Sequence, residues 1–242
     1  MVMDKGIGLR QAADLCESAG HLIDFLKLGF GTSYVSRQVK EKVKIYQEND
    51  ISVYVGGTLL EAFLVRGQLD DYLRYVDALG CDAAEVSDGC IHIPAEQKYQ
   101  VIQRLSAHYT VLSEVGAKDE TVHLDPGEWV RAMQNELAAG SRFVIGEARE
   151  SGTVGLYEKN GSADTGLIRT ILEGVPAEKI IWEAPMKGQQ CWFIHLLGPA
   201  VNLGNIAPAE ILALETLRLG LRGDTFFCSL PEEFDRFRLT GP

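Results

Sequence analysis

Apolar positions along this chain follow two alternating periods. Short β-rich runs occur at 2–3, 23–28, 51–55, 83–86, 109–112, 143–145, 179–182 and 200–203. Between them lie amphipathic segments at 9–19, 33–47, 69–79, 96–107, 127–139, 165–172, 189–197 and 209–219. Within 33–47, Val39, Val43 and Tyr46 recur at helical spacing among Lys40, Glu41, Lys42 and Lys44. That pattern gives one buried stripe on an otherwise solvated helix. Pro208 suits a first helical turn, and Gly80, Gly140 and Gly220 stand where helix C-caps belong. Strand and helix alternate eight times with no linker-like stretch. The pattern predicts an α/β chain folded as a single-domain (βα)8 TIM barrel over residues 1–228, with an exposed tail at 229–242. An open doubly wound sheet is the alternative.

Side chains on a strand alternate between two faces. If Leu26 and Leu28 face the helices, Phe25, Lys27 and Gly29 face the barrel interior. The same rule turns Glu85 and Ser87 inward, then Leu112 and Glu114, then Ile145, Glu147 and Arg149. It also turns in Glu183, Asn202 and Gly204, while Lys5 closes the first strand and Lys118 follows the fifth. Barrel active sites lie at the C-terminal strand ends. Charges converging there from different strands are costly to bury unless they are paired or used.

Composition narrows the chemistry. The chain has 242 residues and a formal charge of −11, so its bulk field repels nucleic acid and anionic membranes. Against that background Lys5, Lys27, Lys118, Arg149 and Lys187 predict a locally basic mouth suited to a small polyanion. Glu85, Glu114, Glu147 and Glu183, with Asp88 nearby, are hard oxygen donors of the kind magnesium accepts. Lys187-Gly188 and the stretch Asn202 to Asn205 follow the seventh and eighth strands, where barrels often bind phosphate. Gly152 and Gly155 offer a further anion-binding loop. Five scattered cysteines without a CxxC pair predict reduced thiols, not a zinc site or disulfide framework. His195 is expected to be a packed, hydrogen-bonded helix residue. No apolar run is long enough to span a bilayer, and the N-terminal residues lack a signal-peptide pattern, so a cytoplasmic protein is expected.

The motifs DKG (4–6), DFLKLGFGTS (24–33), VYVGGTLLE (53–61), EVSDG (85–89), SEVGAKD (113–119), EARESGTVG (147–155), EAPMKGQQ (183–190), VNLGNI (201–206) and LETLRLGLRGDTF (214–226) together resemble the phosphosulfolactate synthase family. The resemblance runs over nearly the whole chain. It implies a barrel lyase that adds sulfite to phosphoenolpyruvate with magnesium, giving (2R)-phospho-3-sulfolactate. In methanogenic archaea that step begins coenzyme M synthesis; related bacterial proteins are linked to sulfolactate. Where the family commonly carries two lysines this chain has Ala117-Lys118, and Lys118 matches the second; Phe30 replaces a common tryptophan.

Residues and resemblance together set the expected roles. Lys118 is expected to protonate C2 of the enediolate, with Lys27, Glu114 and Arg149 as its catalytic companions. Lys5, Ser87, Lys187, Asn202, Gly204 and Asn205 are expected to bind substrate, and Glu85, Glu147 and Glu183 to hold Mg2+. A homo-oligomer is expected. Two alternatives keep the same pocket: related enolate chemistry on another phosphorylated acid, and a non-catalytic, stress-related homologue.

Overall fold

The computed structural model describes residues 1–116, 125–148, 151–228 and 230–238. Eight parallel strands form its centre: β1 Val2–Asp4, β2 Phe25–Leu28, β3 Ser52–Val55, β4 Ala83–Val86, β5 Thr110–Val115, β6 Phe143–Gly146, β7 Ile180–Glu183 and β8 Leu203–Gly204. The helices are α1 Leu9–Ala19, α2 Thr32–Val35, α3 Val39–Gln47, α4 Gly57–Leu64, α5 Leu69–Leu79, α6 Ala95–Ser106, α7 Pro126–Ala139, α8 Thr165–Gly174, α9 Lys187–Leu197 and α10 Ile211–Arg218. No helix among the described residues is long and apolar enough to cross a membrane.

The strands pair as two parallel ladders, β1-β2-β3 and β4-β5-β6-β7-β8. Two different devices join them. At one seam Val2 bridges Ile206, and Met3 N–H donates to Ile206 O at 2.9 Å. At the other seam side chains replace the ladder. Asp82 accepts from Val53 N–H at 2.8 Å and from the Ser52 hydroxyl at 2.8 Å. Higher up, Gly57 N–H donates to Glu85 Oε1 at 2.6 Å.

The alternation expected along the strands divides the core in two. Leu26, Val53, Val86, Val111, Val144 and Trp182 point outward into the layer shared with the helices. Tyr54, Ala83, Leu112, Ile145 and Ile181 point inward and fill the barrel, with Met1, Phe25 and Phe143 packed against them. The Phe25 and Phe143 rings meet edge to face at 5.7 Å, an arrangement that suits their quadrupoles. This apolar plug closes the barrel below the strand ends.

Local signals set the helix ends. Asp125 caps α7 through Gly127 N–H, with Pro126 in the first turn and Glu128 accepting from Asp125 N–H. Gly80 ends α5 in the left-handed region. Three expectations need correction. The 33–47 segment is two helices, because Gln38 turns left-handed (φ 58°) between α2 and α3. Helix α4 was not expected, since its Gly56-Gly57 start reads as a turn. Strand β8 begins at Leu203, at the end of the run predicted for it.

Candidate active site

Lys27 is the centre of the site. Strand β2 carries it inward, two positions beyond the plug residue Phe25, and it is 6% exposed. Its Nζ lies 2.8 Å from Glu85 Oε1 and 3.4 Å from Glu114 Oε2. Burial alone pulls the ammonium pKa down, but Glu85, Glu114 and Glu183 outweigh it and leave it well above the ordinary lysine value. Lys27 is thus a fixed positive charge near neutrality. Gly57 makes the arrangement compact: a Cβ there would fall 2.2 Å from Ser87 Oγ.

Glu183 behaves oppositely. It is 2% exposed, and burial together with Glu114 and Glu85 outweighs the pull of Lys27, so its carboxyl is pushed up to about 7. Its Oε2 accepts from Ala148 N–H at 3.0 Å. Glu147 lies beside it at the end of β6 and is 3% exposed.

Buried braces hold the loops that rise from these strands. Asp4 accepts from Gly6 N–H (2.7 Å), Ile7 N–H (2.9 Å) and the Tyr46 hydroxyl (3.0 Å), and pairs with Lys42 at 2.7 Å. This fixes the turn that carries Lys5 over the Phe30 ring. Glu61 accepts from the Ser87 hydroxyl, Gly89 N–H and Cys90 N–H, which fixes the loop after β4. Lys98 pairs with Glu136 (2.8 Å) and Asp88 (2.9 Å) and donates to Glu114 O at 2.7 Å. The sequence reading missed all three. Their signals were an Asp-x-Gly turn at 4–6, and charged residues on buried helix stripes, as with Lys98 beside Val101, Ile102 and Leu105.

A cavity of about 350 Å³ opens at this end of the barrel, lined by Lys27, Phe30, Glu114, Glu147, Glu183 and Asn205 among others. Gly204 lies under it, opposite Glu183 in the ladder. Other expected residues are placed differently. Glu85 is fully buried beneath Lys27 and does not line the cavity. Ser87 is fully buried and bound to Glu61. Lys187 turns outward to Asp224 at 2.6 Å. Asn202 is at the opposite end of the barrel, because β8 starts one residue after it; its amide donates to Glu178 O and Ile180 O at 3.2 and 3.3 Å. A larger groove of about 1030 Å³ lies at that end, but none of its charged side chains is buried. Lys118 and Arg149 lie outside the described residues. Among the described residues the buried part of the mouth is therefore acidic around Lys27, with Lys5 above the Phe30 ring.

Comparison with known proteins gives the family. The profile of the family described as (2R)-phospho-3-sulfolactate synthase (ComA) matches residues 1–224. The chain belongs to the phosphosulfolactate synthase family. The phosphosulfolactate synthase of Methanothermobacter thermautotrophicus is 43% identical over 231 residues, which cover 93% of this chain and 90% of that one. That of Bacillus subtilis is 37% identical over 230 residues, covering 94% and 91%. Among solved structures, 3-hexulose-6-phosphate synthase from Salmonella typhimurium superposes with a TM-score of 0.56 at 16% identity, covering 91% of this chain and 98% of that one. Thiamine phosphate pyrophosphorylase from Pyrococcus furiosus gives 0.52 at 13% identity, with 95% of each chain covered. These two likenesses support the barrel fold alone.

Homologues of this family are enzymes, and the cavity at the strand ends is the candidate active site. Its donors suit the magnesium ion that the resemblance implies. Magnesium takes one or two carboxylates and completes its shell with water and substrate oxygens. Glu147 and Glu183 line the cavity as hard donors, and the raised pKa of Glu183 reflects burial first and then the neighbouring carboxylates, whose repulsion a cation would relieve. No group of three His, Cys, Asp or Glu side chains is placed to hold a metal among the described residues. Two carboxylates, completed by water and substrate oxygens, suit that ion.

Proposed function

We propose that this member of the phosphosulfolactate synthase family adds sulfite to phosphoenolpyruvate, with Mg2+, to give (2R)-phospho-3-sulfolactate. The observation that carries this reading is the cluster of Glu85, Glu114 and Glu183 around the buried cation Lys27, with Glu147 on the wall of the same cavity, at the strand ends of a family member. The sulfur lone pair of sulfite bonds to C3, the C2–C3 π pair moves onto the carboxylate as an enediolate, and a proton then bonds to C2. When bound, magnesium supplies positive charge where that carboxylate charge gathers. Glu147 and Glu183 would hold it.

The chain's own groups divide the remaining work. Lys27 keeps its proton, so its part is to hold an anionic substrate group, oriented by Glu85 and Glu114. That leaves Lys118, just beyond Gly116, as the proposed proton donor to C2, with Arg149 as a second anion contact. Lys5 and Lys187 are the proposed phosphate contacts, and Lys187 has to leave Asp224 to act. Phe30 stands among the residues that line the cavity. A cytoplasmic homo-oligomer completes the reading.

The test follows phosphoenolpyruvate by phosphorus NMR with sulfite and Mg2+, and the product by mass. The expected product is a new phosphomonoester with the mass of the bisulfite adduct, absent when chelator replaces the metal. Full turnover in chelator would remove the metal from the reading. Consumption without sulfite would point to other enolate chemistry, and no consumption would point to a non-catalytic homologue.

A further inference from the structure

Asn205 combines three properties found together in no other described residue. It follows β8 at the cavity wall and is 5% exposed. Its backbone is left-handed, with φ 56°. Its Oδ1 is buried and accepts no hydrogen bond among the described residues. Each property bears on what the side chain is for.

The amide orientation comes from its neighbours. Nδ2 lies 3.4 Å from Ala148 O and 3.4 Å from Glu183 Oε2, both acceptors. A flipped amide would set its oxygen against two oxygens, so the NH2 must face them. Oδ1 is then directed away from both. A buried acceptor left without a partner carries an uncompensated desolvation cost, and such a cost persists where a ligand removes it. The left-handed backbone also costs little for asparagine and more for most residues, and local strain of this sort gathers at functional sites.

The group that satisfies Oδ1 must be electropositive. Under the function proposed above, on which this step rests, the substrates present acceptor oxygens. Glu147 and Glu183 add negative charge on the same wall. The Lys27 ammonium is already committed to Glu85 and Glu114. A neutral carbonyl oxygen beside carboxylates is, by contrast, a good donor for a hard divalent cation. We propose that Asn205 Oδ1 supplies an oxygen ligand to a divalent cation held with Glu147 and Glu183.

The test measures Mn2+ binding to the whole chain by electron paramagnetic resonance, with no substrate present. Asn205→Gly removes the oxygen and keeps a residue at ease with positive φ. Asn205→Asp keeps the Oδ1 ligand and adds charge, and it sets an oxygen where the NH2 faced Ala148 O and Glu183 Oε2, a repulsion that a bound cation relieves. The expected result is weaker binding in Asn205→Gly, by about 10- to 100-fold, and tighter binding in Asn205→Asp. Circular dichroism confirms that each variant is folded. Mn2+ affinity unchanged in both variants overturns the role of Asn205 while leaving the cation site standing. If the wild type binds no Mn2+ while the sulfite assay still shows product, the cation site falls and the reaction stands. Should Asn205→Gly fail to fold, the Asp variant decides alone, and unchanged affinity there overturns the proposal.

Discussion

The plug and the mouth are built on the same strands, one β-period apart. Leu112 and Glu114 share a face of β5, as do Ala83 and Glu85 on β4, and Ile181 and Glu183 on β7. Ile145 precedes Glu147, and Phe25 precedes Lys27, in the same way. Below the step, apolar side chains fill the barrel and need only shape. Above it, four carboxylates and a lysine are all at most 6% exposed and depend on one another. The plug supplies stability through burial. The mouth holds crowded like charges, a cost that proteins retain where function needs it. The difference predicts opposite responses to substitution.

The largest effect is expected at Lys27. Lys27→Met leaves Glu85 and Glu114 without their buried cation. Losing one partner of such a pair typically costs about 3–5 kcal/mol. Urea denaturation at neutral pH should show that loss, and turnover should vanish. Adding Glu85→Gln should recover part of the stability and none of the turnover. If Lys27→Met is as stable as the wild type, the cluster is not held together by charge.

Leu112→Ala tests the other side of the step. Removing a fully buried leucine costs about 2–5 kcal/mol through lost burial and the cavity left behind. Stability should fall while kcat per folded molecule stays near the wild-type value. A matching fall in kcat would mean that plug and mouth are one unit.

Lys118 comes next. Loss of a general acid typically lowers turnover about 10²-fold or more. Lys118→Ala should show that loss with little change in substrate binding. Lys118→Arg should not restore it, because arginine keeps its charge and does not release a proton near neutrality. If arginine restores turnover, Lys118 acts only as a charge.

How far the sequence could be read follows from the same comparison. Inward and outward faces were legible because each strand keeps a strict period of two, and β4, α1 and α5 were predicted to the residue. Asn202 shows the limit. Its face is inward, but the run before it is apolar, so the strand end was placed too early; only the bond from Trp182 N–H to Asn202 O reveals the true level. Lys187 shows another limit. Its captor Asp224 belongs to the segment beyond α10, and no local pattern links them. Asp4 and Glu61 were hidden because a carboxylate that braces a loop looks in sequence like any surface acid, and its partners are backbone amides. A basic mouth was expected from counting lysines. The structure shows the described part dominated by carboxylates, since Lys187 is turned away and Glu85, Glu114 and Glu183 all surround Lys27.

The smallest and most diagnostic effect is a pH slope at Glu183. Its folded-state pKa is raised to about 7 by burial and neighbouring carboxylates, against about 4.3 in an unfolded chain. Between those values the folded state binds the extra proton, so stability falls as pH rises through the window. Below it both states are protonated and there is no penalty; above it the penalty is complete and constant. Glu183→Gln lacks this titration, and its amide oxygen can still accept from Ala148 N–H. In metal-free buffer the variant should therefore gain on the wild type as pH rises from roughly 4.3 to 7, by about 1–3 kcal/mol in all, then hold level. Urea midpoints at half-unit pH steps measure it. Excess Mg2+ should flatten the wild-type slope, because a bound cation favours the ionised carboxylate and opposes its crowding. A constant offset between the two proteins at every pH would mean that Glu183 is ionised throughout, and that the mouth is less crowded than its geometry implies.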